Sequence, residues 1–446
     1  MQFITDKQTL EDLNLPGKYK KNSVFSLFNR TQTFGGERVL ETIFSTPYAS
    51  VEPIRQRTEF IAFVRQIGTG FPIDLDDLAA AQLYHQSDVK ISAFYSFAKS
   101  LRRRTFRMLG TAQEDTLFQN GMFAATRMLS QLHLWLLDVK KRDKNDALRY
   151  VEVDNDVLIE QRNLLEFLSM HTEREDPSLF SIAKMDYLIR GKYNHVLQQA
   201  FRIIYNFDAY ISISSVANEK GFQPALALEA SSRSIRIEDG YHATMPKAIG
   251  NPMDYDSEQN LTFLTGANMA GKSTYMKSFG ILIYLAHLGF PVPAKRMEFA
   301  VRDGLYTSIN VSDDLSMGQS HYYAEVMRVK QVAQEVNKGK KLVIIFDELF
   351  KGTNVKDAFD ATLAITQAFQ AHKDCQFLIS THIVEVGEKL RDQHESNIRF
   401  SYLPTIMQGH IPTYTYQLES GISADKHGMI LIEKEGILTL LENKNA

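Results

Sequence analysis

The sequence carries one cysteine, Cys375, in 446 residues. No internal disulfide can form, and a reducing, cytoplasmic setting is expected. Its 12 histidines show no spacing with cysteine that suggests a zinc site. Long apolar runs are missing as well. The longest, Phe279 to Phe290, is too short to span a bilayer and contains His287, and Met1 to Lys7 lacks the basic-then-apolar layout of a signal peptide. A membrane is therefore not expected among the partners. Nor is there an excess of one charge: 50 Lys and Arg against 53 Asp and Glu leave a net charge of −3. Nothing draws the whole chain to nucleic acid, so such binding has to come from local patches. Two basic patches exist, Arg102, Arg103, Arg104 and Arg107 beside Lys99, and Lys140, Lys141, Arg142 and Lys144. Fixed-period repeats and low-complexity segments are absent.

What remains is an ordinary globular composition, 44% hydrophobic and 23% charged, in a chain long enough for two or three domains. The first half reads as helical. Arg38 to Phe44 forms a helix stopped near Pro47, and Ser50 precedes a second that brings Ile54, Ile61 and Val64 to one side. Phe118, Met122, Ala125, Leu129, Leu132, Leu136 and Val139 recur at alternating four- and three-residue steps, widened by Leu134 and Trp135. That is the seam of a long helix packed along another. Asp156 is placed to cap a partner helix through Leu158, Leu164, Leu165, Phe167 and Leu168, and a third long helix runs from about Tyr187 through Tyr210. The texture changes near Glu219-Lys220-Gly221. Pro224 to Leu228 and Ser234 to Ile237 read as strands, and beyond them strands alternate with helices, which predicts a mostly parallel α/β sheet.

One short stretch names a ligand. Gly266-Ala267-Asn268-Met269-Ala270-Gly271-Lys272-Ser273 has the phosphate-loop pattern, with a strand-like run, Leu261 to Thr265, before it and a helix-like run, Tyr275 to Leu288, after it. In that context the loop's N–H groups and the helix N-terminus face a nucleotide's phosphates, Lys272 reaches the β/γ oxygens and the Ser273 hydroxyl faces Mg²⁺. The wholly apolar Leu342 to Phe346 predicts a buried parallel strand, and Asp347-Glu348 stands at its carboxyl end, where open α/β sheets bind ligands. Asp347 is placed to hold Mg²⁺, and Glu348 to orient and deprotonate an attacking water. Ser380-Thr381-His382 ends a neighbouring strand, where an imidazole senses a γ-phosphate.

These residues resemble the MutS family of DNA mismatch-repair ATPases. Thr265 to Tyr275 is similar to the family's T-G-P-N-M-G-G-K-S-T-Y. Asn251-Pro252 resembles its segment near the adenine. Asp313-Asp314-Leu315, Gly318-Gln319-Ser320-His321-Tyr322 and Glu325 resemble its signature segment. Gly352-Thr353 with Asp357 is similar to the stretch that follows its Asp-Glu pair, and Thr381-His382 to its switch histidine. Tyr416-Gln417-Leu418, Gly421, Ser423 and Gly428 resemble its closing strand region. Ser26 to Gly35 with Arg38-Val39-Leu40 looks like the start of its helical core.

The resemblance implies an α + α/β protein: an N-terminal extension (1–21), an all-helical core and lever domain (22–219), and an ABC-type P-loop ATPase α/β domain (220–446). It implies ATP and Mg²⁺ bound by Asn251 and by Gly266 through Thr274, with Mg²⁺ on Ser273 and Asp347. Glu348 and His382 act in catalysis together with Ser320, which works in trans on the partner chain's nucleotide in a homodimer of ATPase domains. Ala270 replaces the family's middle glycine, still supplies an N–H, and is expected to leave a working loop. Against the family's pattern, the mismatch-reading and connector domains are expected to be absent and the lever too short for a DNA clamp. The leading expectation is an ATP-hydrolysing dimer that binds unusual or branched DNA through its basic patches in a repair or recombination role. The alternative is an ATP-switched scaffold for a protein or ribonucleoprotein partner.

Overall fold

The computed structural model describes residues 3–17, 22–68, 70–86, 92–108, 113–172, 178–309, 321–393, 397–408 and 411–423. The chain divides into two compact units that are not consecutive halves. One comprises Asn29–Thr42 and Glu59–Ser215, the other Met1–Phe28, Ile43–Thr58 and Val216–Ala446. The packing changes at 215/216, four residues before the division expected at 219/220, and residues 22–28 and 43–58 group with the second half. The reason is local: residues 3–28 and 43–58 carry side chains that bond to the second half, such as Arg57, whose Nη1 donates to Leu288 O at 2.9 Å.

The described residues of the first unit form helices and no strand. Its longest helix, Gln113–Arg142, packs against Leu75–Gln86 and Asn155–Thr172. Phe118, Met122, Ala125, Leu129, Leu132, Leu136 and Val139 are all buried, as the heptad spacing requires. Apart from Ala125, each such side chain contributes about 1.5–3 kcal/mol by leaving water. Leu134 departs from the expectation. It is exposed on the far face, while Trp135 alone widens the seam by packing edge-on against Phe207 at 4.7 Å. The partner helix is capped by Asp154, whose Oδ1 accepts from Val157 N at 3.1 Å, and not by Asp156; Phe167 faces solvent. The third helix is two elements, a π-helical turn Tyr187–Lys192 and then Asn194–Lys220. Its Asp208 carboxylate accepts from Gln32 N, Thr33 N and Thr33 Oγ1 at 2.7–2.9 Å, which fixes the entry to Phe34–Phe44.

The second unit contains the strands β1 (Ala225–Leu228), β2 (Ile235–Gly240), β3 (Asn251–Tyr255), β4 (Leu261–Gly266), β5 (Arg296–Ala300), β6 (Gly304–Ser308), β7 (Leu342–Phe346), β8 (Gln376–Ser380), β9 (Ile398–Leu403), β10 (Thr405–Gln408), β11 (Ile411–Tyr414) and β12 (Glu419–Ser420). Six of them make a sheet in the order β12-β9-β4-β8-β7-β6, parallel except for the edge strand β12. A separate mixed sheet, β1-β5-β2-β3, accompanies it, and β10 and β11 form a hairpin. The architecture is thus mixed helix and sheet, compatible with an α + α/β class. β4, β7 and β8 are buried along their whole length, which is why β7 is wholly apolar and the other two are mostly so. Their register pairs Leu264 with Ser380 and Phe346 with Ile379, so their carboxyl ends open side by side.

Candidate nucleotide site

The turn after β4 depends on left-handed backbone at three positions, Gly266 (φ 140°), Met269 (φ 70°) and Gly271 (φ 102°). Glycine accepts this without strain. Ala270 lies outside that region and buries its methyl group, so the loop accommodates an alanine there. The helix Lys272–His287 starts at once, with its free N–H groups towards the loop. Lys272 Nζ donates to Gly266 O at 2.9 Å and to Ala267 O at 3.2 Å, curling the loop around its own cation. Burial pushes the lysine pKa down, and the carboxylates of Glu348 and Asp347 oppose that shift.

Asp347 follows β7 and receives two hydroxyls. Ser273 Oγ donates to its Oδ2 at 2.5 Å, and Ser380 Oγ, from the end of β8, donates to its Oδ1. Glu348 adopts a left-handed φ of 56°, uncommon for a side chain of its size, and is held by N–H bonds to Ser380 O (3.1 Å) and Ser380 Oγ (3.2 Å). Its carboxylate meets His382 Nε2 at 2.5 Å, with both side chains partly open to solvent at 25% and 38%. The hydrogen bond from His382 holds the Glu348 carboxyl below its usual range against the opposing effect of burial, with Lys272 contributing. Glu348 is thus an anion at neutral pH, suited to orienting a water more than to storing its proton.

Lys272, Ser273 and Glu348 line a cavity of about 600 Å³ together with Ala267, Asn268, Met269 and Thr274, and Asp347 and His382 are bonded to Ser273 and Glu348. Met245, Ile249, His242 and Tyr416 line the cavity as well. Asn251 lines the cavity, but its amide is taken up by backbone: Nδ2 donates to Tyr416 O at 2.9 Å and Oδ1 accepts from Leu418 N at 2.7 Å. Its contribution is to fix the wall that carries Tyr416. Burial, reinforced by Lys277, pushes the His242 pKa down to about 4 and keeps that ring neutral at neutral pH. Sequence reasoning passed over Ser380, His242 and Met245 as site residues. Only Ser380 left a signal, as the hydroxyl at the end of a strand directly before Thr381-His382.

Ser320 lies outside the described residues, as do Asp313, Asp314, Leu315, Gly318, Gln319 and Gly428. The side chains of Arg103, Arg104 and Arg107 lie outside them too. In the second basic patch, Lys140 pairs with Asp146 at 3.0 Å and Arg142 pairs with Asp138. Among the described residues no group of three or more His, Cys, Asp or Glu is arranged to hold a metal by itself. Ser273 and Asp347 nevertheless offer two oxygens at one point beside the phosphate loop. That fits Mg²⁺, which takes few protein ligands and completes its shell with water and phosphate. Among the described residues no helix is long and apolar enough to cross a membrane.

Residues 262–440 match the family model described as MutS domain V. The chain is 29% identical over 274 residues to the DNA mismatch repair protein MutS of Streptococcus gordonii, a stretch covering 57% of this chain and 31% of that protein. It is 29% identical over 255 residues to the DNA mismatch repair protein MutS of Lactococcus lactis, covering 55% and 30%. With that of Clostridioides difficile it shares 30% identity over 200 residues, covering 43% and 21%. The matched stretch is thus less than a third of the length of these relatives.

Proposed function

We propose that this chain, which belongs to the MutS family through its domain V, binds ATP on the loop Gly266–Ser273 and hydrolyses it with water. The observation that carries the reading is the convergence, at the carboxyl ends of three adjacent parallel strands, of Lys272, Ser273 and Glu348 on one cavity, with Asp347 bonded to Ser273 and His382 to Glu348. Lys272 and the loop N–H groups hold the phosphates, and the apolar lining residues Met245, Ile249 and Tyr416 take the base. Ser273 and Asp347 would hold Mg²⁺, which would supply charge neutralisation at the phosphates. Glu348, pinned by His382, aligns a water with the γ-phosphorus. The new P–O bond forms as the bond to the β,γ-bridging oxygen breaks, ADP leaves with that electron pair, and the water's proton passes to phosphate or solvent.

On the same reading two chains pair through these domains as a homodimer, Ser320 of each completing the other's site. Residues 22–219 act as core and levers and 220–446 as the ATPase. DNA of unusual or branched form is the proposed ligand of the helical unit, in a repair or recombination role. A second reading, an ATP-switched scaffold for a protein or ribonucleoprotein, is favoured by one observation. Lys140 and Arg142 are already paired with Asp146 and Asp138, which leaves less free charge for phosphates.

ATP turnover of the full chain, alone and with duplex DNA, branched DNA and RNA over a range of salt, tests both readings. Turnover should be present and should disappear, with nucleotide affinity, in Lys272→Ala. Stimulation by branched DNA that falls steeply with salt supports the DNA reading. No response to any nucleic acid moves the weight to the scaffold, and no turnover at all rejects the ATPase.

A further inference from the structure

The N-terminal stretch is bonded to both flanks of residues 310–320. Ile4 first extends the free edge of the six-stranded sheet: Ile4 N donates to Asp303 O at 2.8 Å, and Leu305 N donates to Ile4 O at 2.9 Å. That pairing by itself would be enough to cover an exposed edge. The side chains that follow go further. Buried Asp12 accepts from Thr307 Oγ1 at 2.7 Å and from Ile309 N at 2.9 Å. Buried Thr9 accepts at Oγ1 from Thr307 N at 3.0 Å and from Arg328 Nη2 at 3.3 Å. Arg328 bonds to Thr307 O through Nε at 3.1 Å and pairs with Asp6.

Thr307 and Ile309 lead into residue 310, and Arg328 lies on the helix His321–Asn337 that leads away from residue 320. The same stretch also grips the phosphate-loop helix. A Cβ built on Gly280 would fall 2.7 Å from Leu13 Cδ2, so the helix has no side chain where Leu13 enters. Phe3 packs on His287, in the last turn of that helix, with ring centroids 4.2 Å apart. Packed side chains and buried hydrogen bonds of this kind carry displacement from one element to another.

We propose that Asp12, supported by Thr9 and Arg328, is a positioning residue that ties both flanks of residues 310–320 to the phosphate-loop helix, so that nucleotide binding is converted into turnover. The proposal rests on the reading above, in which Ser320 completes a partner's site. Asp12 touches neither nucleotide nor metal; it acts through Thr307 and Ile309.

The test is Asp12→Asn in the full chain, followed by ATP turnover, by affinity for a fluorescent ATP analogue and by thermal melting. The expected result is a split: kcat falls about tenfold or more while analogue affinity stays within about twofold. A kcat equal to that of an active wild type, or affinity and kcat falling in step, overturns the proposal. Should Asp12→Asn not fold, Arg328→Lys keeps the charge, removes the forked contact to Thr307 and Asp6, and is expected to give the same split. Absence of turnover in the wild type would overturn the functional reading, and this proposal with it. An active wild type matched by Asp12→Asn sinks this proposal alone.

Discussion

Two clusters of charged and hydroxyl side chains use the same chemistry to opposite ends. In the helical unit, Asp186 accepts from Tyr84 Oη at 2.8 Å, Ser96 Oγ at 2.9 Å and Arg190 Nε at 2.6 Å. The Asp186 and Arg190 side chains are each 2% exposed, and the guanidinium lies over the rings of Tyr84 and Phe118 at 4.5 and 5.1 Å. Burial, with Asp186 adding to it, lifts the Tyr84 pKa well above its ordinary value. At the other cluster Ser273, Ser380, Asp347, Glu348 and His382 also bond to one another, yet Ser273 and Glu348 line a cavity. Perturbed pKa values therefore occur in both and do not tell them apart. Room for a ligand does. The first cluster spends its bonds on protein, and the second has lone pairs that face open space.

The largest effect separates the two clusters by activity. Glu348→Gln keeps the shape of the site but replaces the anion proposed to orient water, so turnover should drop by about 10²–10⁴-fold. Affinity for an ATP analogue should remain near that of the wild type. Single-turnover ATP hydrolysis checks this, and equal rates would remove Glu348 from the chemistry. Asp186→Ala should do the reverse, leaving analogue affinity intact while destabilising the helical unit by about 3–5 kcal/mol, because the Arg190 charge is left buried without its partner. The readout exists already: Trp135, the one tryptophan of the sequence, packs on Phe207 within that unit. Its fluorescence in a urea titration should report an earlier transition. An unchanged midpoint would mean that the cluster contributes little to stability.

The comparison also explains what could be read in advance. The phosphate loop, Asp347-Glu348 and His382 are adjacent in sequence to the strands that aim them, so short motifs found them and β-strand order did the rest. The seam from Phe118 to Val139 was legible because periodicity records burial directly. Leu134 was misread because the helix's next stripe is exposed, and an apolar side chain carries no mark of which face it occupies. The Asp186–Arg190 pair and the Asp12–Thr307 bond were not legible. Arg190 lies in an unforeseen π-turn four residues after Asp186, which ends the preceding helix, and Asp12 and Thr307 are separated by 295 residues. Interleaving of the two units escaped for the same reason: only packing shows that 43–58 belongs with the second half.

A smaller effect tests burial within the strand-containing unit itself. His287, in the last turn of the phosphate-loop helix, is fully buried in its neutral form, bonded through Nδ1 to Ile283 O at 2.8 Å and through Nε2 to Arg302 N at 3.0 Å. With Nε2 accepting, Nδ1 carries the proton, and a second proton would set Nε2–H against Arg302 N–H. Burial accordingly pushes the His287 pKa down to about 3, as it pushes that of His242 down to about 4, from an ordinary 6.5. Because both folded values lie below the unfolded one, the unfolded chain binds more protons throughout that window. Stability from these two rings is complete above pH 6.5 and is lost as pH falls towards 3–4. The slope approaches about 1.4 kcal/mol per pH unit for each histidine. Urea unfolding between pH 7 and pH 5, followed by release of a bound ATP analogue, should show that decline. In His287→Asn the slope should shrink by about half whatever the starting stability, since one of the two depressed groups is gone. Equal slopes in variant and wild type would show that the buried imidazole takes up no proton on unfolding, and would locate the acid sensitivity of this unit elsewhere.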